Sequence, residues 1–570
     1  MNRFTIIFIL IWNCLFGISA WSQQTNTWCN PLNLNYRFSY DGLGYREAAD
    51  PVIHLYRNTY FLYASKSGGY WQSSDLLNWI FRPSKTLPTE DYAPTVVTIH
   101  DTVFFMASQG TRNIYFNTNP LQDNWQVYRK QFPLGVTDPA LFKDDDGRVY
   151  FYYGCSNVNP IMGVELDPGK RLDTIGTPRE LISHHFNEYG WEEPGEQHND
   201  HKRGWNEGAW MNKYNGKYYL QYAAPGTEFK VYGDGVYVSD KPLGPFTYMP
   251  NSPFSYKPGG FINGAGHGNT FRDKYGNYWH VATMTISVRH MFERRIGLFP
   301  AFFDKDGQLH CNTAFGDYPA RMPHRKMDFE KESLFAGWML LSYNKPVKAS
   351  SSLAGHAAEL AVNEEVRNWW SAETGDAGEW LQVDLQRQGT VHALQVSFAD
   401  QDAGLKAPVT FTPYQFVIES SADGKHWKLL VDKSANTADI THDYIVLPKA
   451  VKTRFLRITN RRVPAGKFSL SGFRVFGKGN GARPPAVSAV AVNRNAADSR
   501  RAQLNWKAAA GATGYQVYFG TDPHKLFHSV MVYGTDRLEL PGLNKGVSYY
   551  FRVDAFNENG ITPGRKTTAH

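Results

Sequence analysis

Between Asp50 and Thr283 one pattern of apolar and polar positions recurs five times. A slot residue opens each copy; an alternating apolar segment, a polar turn and a second alternating segment follow. The copies are Asp50-PVIHLYRNTYFLYAS, Ala93-PTVVTIHDTVFFMAS, Asp138-PALFKDDDGRVYFYYG, Glu207-GAWMNKYNGKYYLQYA and His267-GNTFRDKYGNYWHVAT. Period-two alternation broken by turn residues predicts paired β-strands. In the last three copies a turn glycine (Gly147, Gly216, Gly276) follows the slot at one fixed distance. Further alternating segments, such as Gly69-YWQSSDLLNWIF and Gly235-VYVSDKPLGPFTY, give about four short strands per repeat. The slots stand roughly 45 residues apart at first and roughly 60–70 apart later, which is blade spacing with insertions. A five-bladed β-propeller is therefore expected over 28–325. Each slot would start an innermost strand, so that the slots converge on one axial cavity.

The texture changes after about residue 336. Trp380-LQVDL, Val391-HALQVSF, Tyr414-QFVIESSADGKHWKLL and Arg454-FLRITN alternate at strand length and predict a β-sandwich over 336–477. Gly477-KGNGARPP marks a linker at 478–483. A second sandwich is expected over 484–566, with Trp506 and Tyr549 as core candidates. The fold class is all-β: a five-bladed propeller followed by two sandwiches.

Composition narrows the function classes. The 570 residues are too many for one core, and 15% aromatics suit strands and sugar stacking alike. The net charge of +7 comes without a long basic run, which argues against nucleic acid as a partner. Met1–Ala20 reads as an export signal, with Arg3, an apolar run from Phe4 to Phe16 and small residues before Ala20; the run is too short for a transmembrane segment. The expected location is periplasmic or extracellular. A lipid anchor at Cys14 is the alternative, against which bulky Trp12 and Asn13 stand. Cys29, Cys155 and Cys311 remain after cleavage, too few for a disulfide framework. The insertion Leu166–Asn206 carries His184, His185, His198 and His201 without tight ligand spacing, so a solvated polar loop rimming the cavity is expected rather than a metal cluster.

The slot residues carry the candidate chemistry. Asp-Pro alone is ordinary turn chemistry, and Asp144, Asp145 and Asp146 read as solvent-exposed residues of a turn. Asp50, Asp138 and Glu207 differ because they share the repeat's phase and would face one another. Three converging carboxyl groups suit general acid–base catalysis.

At these residues the chain resembles glycoside hydrolase family 43, through Ala49-DPVI, Thr137-DPALFKDDDG, Asn206-EGAWMNKYNGKYYLQYA and Gly266-HGNTF. Tyr92-APTV departs from the family's Trp-Ala-Pro and keeps an aromatic wall. The resemblance implies an inverting exo-glycosidase acting on polysaccharide side chains, with arabinofuranosides and xylosides as the commonest substrates and galactosides or galactofuranosides also known. Asp50 would be the general base, Glu207 the general acid, and Asp138 the group that orients the acid and keeps a proton on the pair. Inversion asks for about 6.5–9.5 Å between base and acid. No cofactor is implied for the chemistry. His267 would either hold a calcium or sodium ion in the axis or hydrogen-bond there. Arg294 and Arg295 would contact substrate or form salt bridges. Tyr70 and Trp71 would stack on sugar or fill the space between blades. A sugar-binding propeller without catalysis is the alternative, against which the three filled carboxyl positions count. Residues 336–477 resemble discoidin-like, coagulation factor type C domains and family 32 carbohydrate-binding modules, through Ala361-VNEEVRNWWSA, Trp380-LQVDL, Ser420-SADGKHW and Ser469-LSGFRVFG. Residues 484–566 resemble a fibronectin type III module. Every residue assigned to chemistry lies within 28–325, so neither sandwich is expected to be needed for bond cleavage itself.

Overall fold

The computed structural model describes residues 26–40, 44–89, 91–408 and 413–567; the expected export signal and Cys14 lie outside them. Among the described residues helix occurs only as three short 3-10 turns, and no helix is long and apolar enough to cross a membrane.

Five antiparallel sheets succeed one another from Val52 to Cys311. Their first strands are Val52–Tyr56, Tyr92–Ile99, Ala140–Lys143, Glu207–Tyr214 and Asn263–Arg272. Each lies beside the first strand of the next sheet, and the fifth lies against the first, so the five close a ring. The alternation in the sequence explains the closure. Neighbouring side chains on a strand face opposite ways, so each sheet feeds two cores. Phe104 packs toward Leu141 and Phe151 of the third sheet, while Phe105 packs toward Val52 and Tyr63 of the first. Tyr150 and Tyr152 turn to Leu220 and Tyr222 of the fourth sheet. The last core joins Ile53, Leu62 and Trp71 of the first sheet to Trp279, Val281 and Leu298 of the fifth. Each large side chain so buried contributes about 1.5–3 kcal/mol. The ends are stitched as well: Thr27–Trp28 pairs with Ala320–Arg321, and the Asn30 amide bonds both the N–H and the C=O of Leu298.

From Met339 to Lys478 an eight-stranded antiparallel sheet wraps one core that includes Trp370, Phe398, Phe416, Phe468 and Phe473. Between Val490 and Thr562 a three-stranded and a four-stranded sheet share a core with Trp506, Tyr515 and Tyr549. The first of these two units is locked to the five-sheet ring through buried charge. Arg46, 0% exposed, lies 2.8 Å from Asp400 and 2.9 Å from Asp439. Arg474 pairs with Glu364 at 2.9 Å and reaches the Asp317 carbonyl at 2.7 Å.

The insertion before Glu207 meets the cavity through exposed Trp205, but part of it is buried rather than solvated. Glu192 and Glu193 are buried, His184 and His198 bond backbone carbonyls, and exposed His201 pairs with Glu193. Its outer face docks the last unit, through Gly190 N–H to Leu543 O (3.1 Å) and Arg500 to Glu193 (3.0 Å). Buried carboxylates need such partners, which is why a polar sequence folds inward here. Asp144 is likewise buried rather than exposed, since it accepts from Lys213 and Tyr218; Asp145 and Asp146 stay at the surface.

Candidate active site

Four slot residues share one backbone conformation. Asp50, Ala93, Asp138 and His267 sit in the left-handed region, at φ 50°, 47°, 47° and 43°. In the fourth sheet the residue in that conformation is Gly208, at φ 65°. The N–H of each donates to an oxygen of the preceding sheet. Asp50 donates to Thr283 Oγ1 (2.8 Å), Ala93 to Ser65 Oγ (2.9 Å), and Asp138 to Ser108 Oγ (2.9 Å). Gly208 donates to Asp138 Oδ2 (3.1 Å) and His267 to Asp234 Oδ1 (2.7 Å). Left-handed backbone costs a non-glycine residue about 1–2 kcal/mol; this ring of hydrogen bonds holds it in place.

Glu207 therefore stands one residue before the true slot, not in phase with Asp50 and Asp138. A bulge between Glu207 and Trp210 makes the offset. Gly208 has to be glycine, because a Cβ there would lie 2.7 Å from the His267 ring.

The offset brings Glu207 beside Asp138. One oxygen of each and the Cys155 sulfur lie within 4.8 Å of one another. Tyr232 donates to Glu207 Oε1 at 2.5 Å and Cys155 Sγ to Oε2 at 3.0 Å. His267 stands between this pair and Asp50, with Nδ1 3.3 Å from Asp50 Oδ1 and 3.6 Å from Asp138 Oδ2. Asp50 is held by Arg294 Nη1 at 3.0 Å and by Ser65 at 2.5 Å; Arg294 is anchored by Glu47 at 2.6 Å.

The two aspartates are pushed apart electrostatically. Burial would raise Asp50, but Arg294, His267 and hydrogen bonds from Ser65 and Thr283 outweigh it and hold Asp50 below the ordinary carboxylate value. Asp138 goes the other way. Burial raises it to about 7, reinforced by the charges of Glu207 and Asp50 against the opposing pull of His267. His267 would be lowered by burial, yet Asp50, Asp138 and Glu207 raise it. The Nδ1 of this imidazole faces the carboxyl groups of Asp50 and Asp138.

These groups line a cavity of about 340 Å³, walled also by Lys66, Tyr92, Trp205, Thr227, Glu228, Met291 and Phe292. Three expected contact residues are not there. Trp71 is fully buried in the core between the first and fifth sheets, against Phe81, and Tyr70 is buried on the other side of the same strand. Arg295 follows Arg294 on one strand and so faces the opposite way, where it bonds His442 at 2.8 Å in the second unit.

Ser65, Thr283, Cys155 and Tyr232 were not singled out from sequence. A signal existed for the first two: the repeat phrases end in Ser65, Ser108 and Thr283. Where the phrase ends in Gly154 or Ala223, with no hydroxyl, Asp138 or Asp234 supplies the acceptor. Cys155 and Tyr232 lie outside the phrases and carry no comparable mark.

Residues 45–309 match the model for glycosyl hydrolases family 43. Residues 346–471 match the F5/8 type C domain. The chain is similar to xylosidase/arabinosidase 43A of Humicola insolens, 30% identical over 204 residues, which is 30% of this chain and 58% of that protein. Beta-xylosidase of Xylanibacter ruminicola is 32% identical over 135 residues, 20% of this chain and 39% of that protein. Xylosidase/arabinosidase of Bacteroides ovatus is 32% identical over 150 residues, 23% of this chain and 42% of that protein. The match thus spans less than two thirds of the length of each relative.

Proposed function

We propose that the chain is an exported, inverting glycoside hydrolase that releases terminal xylosyl or arabinofuranosyl units from polysaccharide side chains. The observation that carries this reading is the placing of two unlike carboxyl groups around one cavity: Asp50 bonded by Arg294 at 3.0 Å, and Asp138 buried beside Glu207 with its pKa raised to about 7. Asp50 acts as the general base and draws a proton from water. Glu207, held by Tyr232 and Cys155, protonates the leaving oxygen. Asp138 positions Glu207 through proximity and keeps a proton in the pair near neutral pH. Arg294 keeps the base charged, and His267 separates base from acid. The steps call for no metal. The names of the curated relatives support xylose or arabinose as the released sugar.

The ring of five first strands and the cores shared between neighbouring sheets support a five-bladed propeller at 28–325. The F5/8 type C match supports a discoidin-like sandwich at 336–477. The pair of sheets around Trp506 supports a fibronectin type III-like sandwich at 484–566, with 478–483 as the joint.

The test uses aryl xylopyranosides, arabinofuranosides, galactopyranosides and galactofuranosides, with the anomer of the first-formed product read by NMR. Hydrolysis with inversion is expected, lost in Asp50→Asn and, on poor leaving groups, in Glu207→Gln. Retention of configuration, full activity in Asp50→Asn, or full activity of Glu207→Gln on a poor leaving group would overturn the assignment.

A further inference from the structure

Two loops help to wall the cavity. Thr227 and Glu228 belong to one, Met291 and Phe292 to the other. Both are gripped by the same short segment of the second unit. Arg367 donates to the Glu228 carbonyl at 3.3 Å and pairs with Glu196 at 2.6 Å. Two residues on, the Trp369 ring lies 4.8 Å beneath the guanidinium of Arg289, which belongs to the other loop and also donates to the Ala399 carbonyl.

The gripping segment is itself fixed from within. Glu364 is buried and paired with Arg474. Asn363 bonds Asn368, and Glu365 accepts the Arg367 N–H. Trp369 is stacked by His356, with centroids 4.8 Å apart, and donates to Gln401. A flexible tether would carry no load; this one is braced at each end.

We propose that the 336–477 unit is a clamp on this wall of the cavity, and that Arg367 and Trp369 are positioning residues that set substrate affinity. The loops they hold carry Thr227, whose hydroxyl accepts from Arg294, as well as Phe292 over which the Arg294 guanidinium lies at 4.9 Å. Both therefore buttress the residue that holds Asp50, while neither carries a carboxyl group of the reaction. Loosening them spoils the binding geometry more than the proton transfers. The inference rests on the glycosidase reading for its kinetics but not for its structural half.

The experiment uses the full chain with Arg367→Ala, Trp369→Ala and, as the conservative control, Trp369→Phe. Hydrogen exchange over 225–232 and 286–293 is measured first, and needs no activity. Faster exchange in both loops in the corresponding alanine variants, with the melting temperature little changed, is expected; unchanged exchange overturns the clamp whatever the enzyme does. KM for the best aryl glycoside should then rise about five- to twentyfold with kcat within about twofold, and Trp369→Phe should restore most of the loss. A fall in kcat at constant KM, or a lowered melting temperature with unchanged KM, would overturn the role in affinity. A wild-type chain that hydrolyses none of the glycosides but shows the exchange changes would overturn the glycosidase reading and leave the clamp standing.

Discussion

Ser65 Oγ lies 2.5 Å from Asp50 Oδ2 and 2.9 Å from the Ala93 amide nitrogen. The amide can only donate, so the hydroxyl accepts from it and must direct its own proton at Asp50. The orientation of the donor is set by the backbone of the second sheet, and with it the carboxylate of the first. Ser65→Ala removes both bonds. Loss of a hydrogen bond to a charged group costs about 1.5–3 kcal/mol, or about ten- to hundredfold in kcat/KM. Asp50 is held below its ordinary value partly by this bond, so its removal lets the folded-state pKa rise. The acid limb of the kcat/KM–pH profile should move to higher pH. An unmoved limb would show that Arg294 alone fixes the charge of Asp50.

The five repeats, the ring they form and the positions of Asp50, Asp138 and His267 were legible because period-two alternation and slot spacing survive in the sequence. The phase of Glu207 was misread, since a bulge adds a residue locally without changing the alternation around it. Trp71 and Arg295 show a second limit. Which face of a strand meets the cavity depends on the register of its neighbours, and for Arg294 and Arg295 one residue separates the site from an interface. Arg46, which binds two acids about 350–400 residues away, has no local pattern at all.

Asp138 should be held at a cost to stability. Its folded pKa is raised from 3.8 to about 7, so the fold favours the protonated form. The contribution is fully present below pH 3.8 and is lost as pH rises through about 7. Asp138→Asn keeps an oxygen to accept from Gly208 and cannot ionise. It should melt higher than wild type at pH 8 and show little difference at pH 4, while hydrolysis drops sharply. Equal melting temperatures at both pH values would mean that the His267 charge compensates Asp138 fully.

The two donors to Glu207 should differ in weight. The Tyr232 bond is 2.5 Å and comes from a buried side chain, whereas Cys155 offers a weak S–H donor at 3.0 Å. Burial and the charges of Asp138 and Glu207 push the Cys155 thiol far up, so it stays protonated and donates. Cys155→Ala should change kcat less than about fivefold, because Glu207 is only half-buried and water can replace a thiol. Tyr232→Phe should cost about ten- to hundredfold through a lost bond to a carboxylate. The reverse order of the two effects would make Cys155 the main support of the acid. The raised thiol also predicts slow alkylation by iodoacetamide at pH 8, measured by mass spectrometry on the folded chain.

Arg46 decides how separable the first two units are. Its guanidinium is fully buried, bonds Asp400, Asp439 and the Tyr36 carbonyl, and lies 4.1 Å over Phe38. The Arg46 carbonyl accepts from Arg295, whose Nε bonds His442. Removing one partner of a buried pair leaves the other unpaired, at about 3–5 kcal/mol. Arg46→Met should therefore lower the urea midpoint strongly, while Asp400→Asn should lower it less, since Asp439 still faces the cation. A chain ending at 335 loses Asp400, Asp439 and His442 together, and strands the Arg46 guanidinium and the Arg295 Nε at once. Such a chain should fail to unfold cooperatively, even though it contains every group assigned to the chemistry. The decisive measurement is urea unfolding of 28–335 followed by tryptophan fluorescence. A single sharp transition near the full-length midpoint would mean that water satisfies these charges as well as the second unit does.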